Sequence, residues 1–270
     1  MIQVGGSAAN PEKRSMSIQE LWGKGYLLWF LSNENPARPQ NGWELWLIYT
    51  ILIGGLLLFA ILIPYLLGSI NSAVLLSRIL YRDDIRNHGS GNAGTTNMLR
   101  TYGKAAALFT LLGDVCKTLL AVSIASFLMS VYTGGWVAGL FCMLGHVFPI
   151  YYRFRGGKGV LCAAAAIALL SPFAFLCALL LFIAIVAMTK YVSLGSIVAA
   201  FMLPLLINFE NTMMERGGLN GIVSVLMALL VIWCHRSNIR RIQNRTESKI
   251  SFRKKTTAAN DASAKDGEQE

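Results

Sequence analysis

Six long apolar runs, separated by short polar segments, organise the sequence between residues 45 and 234. A helix needs roughly 20 apolar residues to cross a bilayer, and hydrophobicity sustained over such lengths is typical of membrane spans. We therefore predict an all-α integral membrane protein. The runs cover residues 45–80, 105–131, 135–152, 159–188, 192–207 and 222–234.

Basic residues set the number of spans, because Lys and Arg concentrate on the cytoplasmic side. They gather in residues 78–104, 153–158 and 236–255 and at Lys190, whereas residues 208–218 hold one base and two acids. For Lys158 and Lys190 to share a side, the run 159–188 must cross twice, with a turn at Ser171-Pro172. This predicts seven transmembrane helices, the amino terminus outside, the carboxyl terminus in the cytoplasm and the active site in cytoplasmic loops.

Within this topology, the run 45–80 is long enough to hold one helix, kinked near Pro64 and Gly68. Residues 132–134 are predicted to form only a tight turn.

Three regions follow from the same pattern. Residues 1–45 are predicted to be an amphipathic, interfacial extension with a short helix over residues 18–31. Residues 46–245 are predicted to be the membrane domain, and residues 246–270 a disordered tail, basic and then acidic. The composition agrees, with 54% hydrophobic and 14% charged residues and a mean hydropathy of +0.52.

The net charge of +10 lies in loops at membrane ends and not on a groove-reading helix, so nucleic acid is not an expected partner. The five cysteines lie in apolar runs without paired spacing. They predict neither a metal site nor a disulfide framework.

A glycine-rich loop, residues 88–100, is the main candidate for chemistry. Gly89, Gly91 and Gly94 permit the positive φ angles that turn successive backbone N–H groups toward one anion. This combination predicts a phosphate cradle, and a plain solvated turn is the alternative. Its polar side chains are Ser90, Asn92, Thr95, Thr96, Asn97 and Arg100.

Three further polar clusters are predicted on the same face. Lys158 follows two glycines, but the segment lacks the ending of a nucleotide-binding P-loop, and a helix-starting turn with a snorkelling Lys is the alternative. Ser193 and Ser196 share a helical face, as do His235 and Asn238. The serines alternatively bond back to helix carbonyls, and the histidine alternatively satisfies an interface position.

Asp114 and Lys117 lie deep in a predicted span at a spacing of three residues, and a local ion pair that joins helices is the simplest interpretation. His146 is interpreted as a packing or hydrogen-bonding residue. The polar loops contain no catalytic triad and no metal-ligand cluster. The polar loops supply many hydrogen-bond donors for anions but no strong base. This combination suits two phosphate-bearing substrates, one of which is already activated.

As a set, these motifs resemble the bacterial acyl-phosphate:glycerol-3-phosphate acyltransferase family, PlsY, over about residues 55–249. The resemblance implies a seven-span enzyme of the bacterial inner membrane that acylates the sn-1 hydroxyl of glycerol 3-phosphate and releases inorganic phosphate. The motifs are residues 90–97 (SGNAGTTN) with Arg100, 111–114 (LLGD) with Lys117, 145–149 (GHVFP), 154–160 (FRGGKGV), 193–196 (SLGS) and 235–239 (HRSNI).

The resemblance also implies roles for single residues. Ser90, Asn92, Thr96 and Asn97 are expected around the acyl phosphate. Ser196, or less favourably Ser193, would complete the pocket, and the proton would pass to the phosphate itself, so no protein base, cofactor or metal is expected. Ser90 is expected to be catalytic together with Lys158, His235 and Asn238, and the last three, with Arg100, would hold glycerol 3-phosphate or the reacting phosphates.

The sequence departs from the family pattern at Thr95, Thr118 and residues 244–247, and nothing in the resemblance explains residues 1–45. The expected partners are the two substrates, membrane lipids and the enzyme that makes acyl phosphate. A transporter of phosphorylated solutes is the alternative function, because a buried charge pair and glycine-broken spans also suit alternating access. Against it, the sequence shows no internal repeat.

Overall fold

The computed structural model describes residues 24–25, 42–215 and 218–250. The two long ranges contain eleven α-helices and no strand, which confirms the predicted all-α fold. The helices are α1 (Gly42–Gly55), α2 (Ile63–Ser69), α3 (Ser72–Tyr81), α4 (Thr95–Thr101), α5 (Lys104–Met129), α6 (Trp136–Val147), α7 (Val160–Leu170), α8 (Pro172–Thr189), α9 (Val192–Met213), α10 (Leu219–Cys234) and α11 (Arg236–Gln243).

Most of the predicted extension 1–45, and residues 251–270 of the predicted tail, lie outside the described residues. Of the predicted helix over residues 18–31, only residues 24 and 25 are described. Gly25 has a φ of 77°, so the chain is not helical at that point.

The described chain is a multi-pass membrane protein by the length and apolar character of its helices. α10 and α11 form one further candidate span if they are taken together across a bend of 54°, and α7 is an apolar helix of only 11 residues. The number of seven spans and their orientation therefore stay predictions. The five segments that are long and apolar enough by themselves are Gly42–Tyr81, Lys104–Met129, Thr133–Tyr152, Pro172–Thr189 and Val192–Met213.

The predicted turn at Ser171-Pro172 is confirmed as a break between two helices. Ser171 ends α7 and caps α8, because its hydroxyl accepts a hydrogen bond from the Ala174 N–H at 3.3 Å. Pro172 occupies the first helical position, where its missing N–H costs nothing. The Ser171 hydroxyl also donates to the carboxylate of Glu210 on α9, so this polar corner is satisfied within the protein.

The first apolar run differs from the predicted single kinked helix. A π-helical turn over Leu56–Leu62 precedes Pro64, and the helix then breaks after Ser69. Ile70 and Asn71 are extended, with ψ angles of 92° and 109°. The break occurs here because the Asn71 side chain accepts a hydrogen bond from the Val74 N–H at 3.1 Å and so begins α3 as a new helix.

The predicted tight turn at residues 132–134 is instead part of a π-helical turn, Val131–Gly135. It leads directly into α6.

Two groups of buried side chains form the core. The larger one packs α5, α6, α7, α9 and α10 together through residues such as Val122, Met143 and Met227. The smaller one lies beneath the glycine-rich loop and contains Ile85 and Met98. Because this second group joins the loop to α3 and α5, the loop rests on the helical bundle.

α2 and α6 touch through their backbones at glycines. A Cβ atom at Gly145 would overlap the carbonyl oxygen of Tyr65, and one at Gly68 would overlap that of Cys142. Small residues at such contacts allow membrane helices to approach closely. The contact brings the break at residues 70–71 against the end of α6.

We predict that Gly145→Ala destabilises the protein by about 2 kcal/mol, because the added methyl group forces two packed backbones apart. Gly54→Ala is the matched control, since nothing lies within 4 Å of a Cβ at that exposed helical position. The midpoint of thermal unfolding in detergent measures both effects. Equal midpoints for the two variants would contradict the close contact of α2 and α6.

Candidate active site

A cavity of about 470 Å³ opens where the glycine-rich loop, the loop before α7, the start of α9 and the junction of α10 and α11 meet. All ten residues predicted for the site line this cavity, although they come from four separate stretches of sequence. They are Ser90, Asn92, Thr96, Asn97, Arg100, Lys158, Ser193, Ser196, His235 and Asn238.

Asn97 holds the glycine-rich loop in shape from the inside. Its Oδ1 atom accepts a hydrogen bond from the Ser90 N–H at 3.0 Å, and its Nδ2 atom donates to the carbonyls of His88 at 2.9 Å and Ile85 at 3.2 Å. Both ends of the carboxamide are therefore engaged within the loop. The carboxamide satisfies these backbone groups, which the turn leaves without partners.

The glycines of the loop do not all adopt the predicted conformation. Gly89 and Gly91 have φ angles of 57° and 70°, as expected for a cradle. Gly94 is extended, with a φ of −156°, because it caps the start of α4. The anion-facing turn therefore spans residues 88–92 and ends before Gly94.

Several donors of this loop are available to a ligand. The side chains of Ser90, Asn92 and Thr96 line the cavity and have no hydrogen-bond partner among the described residues. The Thr95 hydroxyl is buried in the same wall, and it also has no partner in this part of the chain. A bound anion could satisfy the Thr95 hydroxyl, which otherwise carries the cost of burial without a partner.

Arg86 joins the two glycine-containing loops. It donates to the carbonyls of Tyr152 at 2.9 Å and Arg155 at 3.2 Å, next to the segment that carries Lys158. Asp84 holds the guanidinium through two hydrogen bonds, of 2.9 and 2.7 Å. These bonds from Arg86 keep the pKa of the Asp84 carboxyl well below its usual range.

Lys158 lies at one end of a hydrogen-bonded chain. Its Nζ atom donates to Asn238 Oδ1 at 2.5 Å, and Asn238 Nδ2 donates to Glu247 Oε1 at 2.7 Å. The same carboxylate oxygen accepts from Ser193 Oγ at 2.7 Å, and Oε2 accepts from Arg241 Nε at 2.7 Å. Glu247 thus fixes which end of the Asn238 carboxamide faces the lysine.

The pKa of Lys158 is lowered to about 8, chiefly by burial and in part by the cations Arg241 and Arg100, whereas Glu247 opposes the shift. The pKa of Glu247 is itself low, since hydrogen bonds from Ser193, Arg241 and Asn238 outweigh the effect of its partial burial. At neutral pH the lysine is therefore a cation in a partly desolvated site, where its attraction for phosphate is strong.

His235 and Ser196 complete the wall. His235 Nδ1 lies 2.8 Å from the Val231 carbonyl, which only accepts, so Nδ1 donates and Nε2 remains for the cavity. The Ser196 hydroxyl donates to the Val192 carbonyl at 3.0 Å, as the alternative interpretation of the helical serines predicted. Ser193 and Ser196 both line the cavity, and each has committed its proton to a protein acceptor.

Arg100 is exposed and donates to the Ser248 carbonyl at 3.4 Å. Glu247 and Ser248 lie beyond the predicted end of the membrane domain at residue 245, yet both line the cavity. Arg241, Asp114 and His146 also line it without having been predicted as site residues. The signal for Glu247 was weak, because only its family-like position after Thr246 distinguishes it from the charged tail.

The opposite end of the cavity is apolar. Small and aromatic side chains from α7, α8 and α9 form its walls, which include Ala163, Ile167, Phe182 and Leu203. A ligand that fits both ends would carry an anionic head and a hydrocarbon chain.

The fold and the cavity together define a multi-pass membrane protein whose cavity is lined by polar and cationic residues at one end and by apolar residues at the other. A family model described as Glycerol-3-phosphate acyltransferase matches residues 58–245. The chain therefore belongs to the glycerol-3-phosphate acyltransferase family, as its motifs predicted.

Curated relatives and solved structures agree with this assignment. A glycerol-3-phosphate acyltransferase of Mycoplasmopsis agalactiae is 38% identical in an alignment of 240 positions that covers 77% of this chain and 98% of the relative. That of Pseudomonas syringae pv. syringae is 46% identical over 178 residues, 65% of this chain and 88% of the relative.

The crystal structure of PlsY (YgiH), an integral membrane glycerol 3-phosphate acyltransferase, in its glycerol 3-phosphate form is similar with a TM-score of 0.64 and 29% identity. The similarity covers 74% of this chain and 96% of that one. The form of the same enzyme with lysophosphatidic acid has a TM-score of 0.61 and 30% identity, and covers 73% and 94% of the two chains.

We predict that the affinity of the cavity for inorganic phosphate falls as the pH rises through about 8, the pKa of Lys158, by roughly tenfold per pH unit once the ammonium has lost its proton. Glu247→Gln removes the carboxylate that raises this pKa, so the fall should begin at lower pH. Calorimetric titrations on either side of this pH measure both effects.

Glu210→Gln is the matched control, because its carboxylate bonds Ser171 and does not line the cavity. A profile that Glu247→Gln and Glu210→Gln leave equally unchanged would contradict the coupling between Glu247 and Lys158.

Proposed function

We propose that this protein transfers a fatty acyl group from acyl phosphate to the sn-1 hydroxyl of glycerol 3-phosphate. The products are lysophosphatidic acid and inorganic phosphate, in the first step of phospholipid synthesis. The observation that carries the proposal is one cavity with two groups of anion-binding residues at its polar end and an apolar wall at the other. Two phosphates and one hydrocarbon chain match these surfaces.

The glycine-rich loop is the proposed site for the acyl phosphate. Ser90, Asn92 and Thr96 offer side-chain donors into the cavity, and Asn97 acts by holding the loop in its turn. The acyl chain would extend along the apolar wall of α7, α8 and α9. This placement brings the carbonyl carbon near the middle of the cavity, beside the second group of donors.

Glycerol 3-phosphate is proposed to bind on the other side. Lys158 and Arg100 supply positive charge, and His235 Nε2 and the Asn238 carboxamide supply directional contacts. Ser196 or Ser193 completes this subsite as an acceptor for a glycerol hydroxyl, since both serine protons bond protein oxygens. Charge neutralisation in a partly desolvated site favours the close approach of two anions.

The proposed reaction is a direct acyl transfer. The sn-1 hydroxyl oxygen attacks the carbonyl carbon, the bond between that carbon and the phosphate oxygen breaks, and the hydroxyl proton passes to the departing phosphate. The phosphate is already an activated leaving group, so the protein contributes orientation and charge stabilisation. The loop donors and Lys158 stabilise the charge that grows on the leaving phosphate.

The proposal includes the topology and location. α7 and α10 would be short spans beside the five longer ones, which gives seven, with the amino terminus outside and the site at the cytoplasmic face of the bacterial inner membrane. The positions of Lys and Arg support this orientation. Residues 46–245 would be the catalytic domain, 1–45 an interfacial extension and 246–270 a tail of which residues 247 and 248 reach the site. The enzyme that makes acyl phosphate is the proposed donor partner.

The purified protein should form lysophosphatidic acid from glycerol 3-phosphate and acyl phosphate, but not from a coenzyme A thioester. Lys158→Ala and Asn97→Ala should each lower kcat/KM by at least ~100-fold, because one removes the charge of the site and the other the shape of its loop. Radiolabelled glycerol 3-phosphate and chromatography of the lipid product measure the activity.

Lys104→Ala, at an exposed position at the start of α5, is the matched control and should keep the parent rate. Full activity in both site variants would refute the assigned site. Accumulation of glycerol 3-phosphate inside proteoliposomes without lipid product would instead favour the transporter.

A further inference from the structure

A lysine that belongs to neither proposed substrate subsite forms hydrogen bonds to the backbone at the break between α2 and α3. Lys117 Nζ donates to the carbonyls of Gly68 at 3.1 Å and Ile70 at 2.8 Å. Carbonyls at the end of a helix have no partner within it, and inside an apolar bundle an unpaired carbonyl is costly. Lys117 therefore stabilises the particular conformation in which the helix is interrupted.

The charge of Lys117 is compensated next to the break. Its exposed fraction is 8%, and that of Asp114 is 1%. Asp114 Oδ1 lies 2.7 Å from Lys117 Nζ and also accepts from the Ser72 hydroxyl, at the start of α3, at 2.8 Å. The ion pair thus contacts both sides of the break, at the end of α2 and at the start of α3.

Asn71 connects the break to the glycine-rich loop. While its Oδ1 atom caps α3, its Nδ2 atom donates to the Ala93 carbonyl at 3.2 Å. Ala93 is fully buried, two residues before the first residue of α4. The position of Asn71 therefore sets the position of the proposed acyl-phosphate loop.

His146 connects the same lysine to the second loop. Its Nδ1 atom lies 3.1 Å from Lys117 Nζ and accepts, because an ammonium group only donates. The carbonyls of His146 and Val147 accept from the N–H groups of Gly157 at 3.1 Å and Gly156 at 3.2 Å, immediately before Lys158.

The two loops also meet each other at this point. A Cβ at Gly157 would overlap the His146 ring and lie 2.7 Å from the Ala93 carbonyl oxygen. Asn71 thus bonds the Ala93 carbonyl from one branch that begins at Lys117, and the backbone of Gly157 passes close to it from the other.

We propose that Lys117 is a positioning residue that fixes both phosphate-binding loops relative to each other, through Asn71 and Ala93 on one branch and through His146 and Gly157 on the other. This inference rests on the proposed function. It extends that function because it assigns to a buried ion pair a role in the spacing of the two substrates, beyond joining helices.

Asn71→Ser tests one branch alone. Serine is a good helix cap, so α3 keeps its start, but its shorter side chain cannot reach Ala93. We expect the KM for acyl phosphate to rise about tenfold, with the KM for glycerol 3-phosphate and the midpoint of thermal unfolding unchanged. A purely structural role would lower the midpoint and leave the kinetic constants of the folded enzyme unaltered.

Asp114→Asn with Lys117→Met tests both branches without leaving a buried charge unpaired. The folded double variant should lose about 100-fold in kcat/KM for both substrates, since displacements of about 1 Å have effects of this size. Lys104→Met, an exposed lysine on the same helix, should match the parent.

Parent-like constants in folded Asn71→Ser would overturn the inference even if the double variant does not fold. Parent-like constants in a folded double variant would overturn it too. If the parent itself forms no lipid product, the proposed function fails, and the inference fails with it.

Discussion

The structure depends on how an apolar helical bundle provides hydrogen-bond partners for the backbone carbonyls of an interrupted helix. Ile70 and Asn71 leave the helical conformation, and the carbonyls of Gly68 and Ile70 would lack partners without the Lys117 ammonium. That ammonium in turn requires Asp114, because an uncompensated buried charge is strongly destabilising. The buried pair of Lys117 and Asp114 thereby stabilises the break between α2 and α3, against which both loops of the cavity pack.

The glycine-rich loop and Lys158 have different physical roles in the cavity. Asn97 shapes the glycine-rich loop, and the side chains of Ser90, Asn92 and Thr96 line the cavity without a hydrogen-bond partner in the part of the chain that the structure describes. Lys158, the cation of the cavity, is partly desolvated. Desolvation strengthens the attraction of the ammonium group for an anion and contributes to the low pKa of Lys158, about 8. Glu247 limits this fall in the pKa of Lys158, because its carboxylate favours the charged lysine.

Much of this architecture could be predicted from local sequence. Long apolar runs identify helices, and Ser171-Pro172 combines a capping side chain with a residue suited to a helix start, so the break there was predictable. The sequence also indicated which ten residues would lie around one cavity, because the order of their motifs along the chain is specific.

The features that the sequence did not predict depend on the particular hydrogen bonds that side chains form in the folded chain. The helix breaks at Asn71 because its carboxamide forms hydrogen bonds to both Val74 and Ala93. The Asn97 side chain turns toward its own loop because three backbone groups there need hydrogen-bond partners. The extended Gly94 follows from the cap of α4. Glu247 is one charged residue in a charged tail until Ser193, Asn238 and Arg241 surround it.

The central claim is that one cavity holds two phosphates at the same time. Calorimetry with glycerol 3-phosphate and a non-reactive acyl phosphonate, each titrated in the absence and presence of the other, tests it most directly. The structure predicts that saturation with the phosphonate leaves one glycerol 3-phosphate bound per protein molecule. Mutual exclusion of the two ligands would contradict the account.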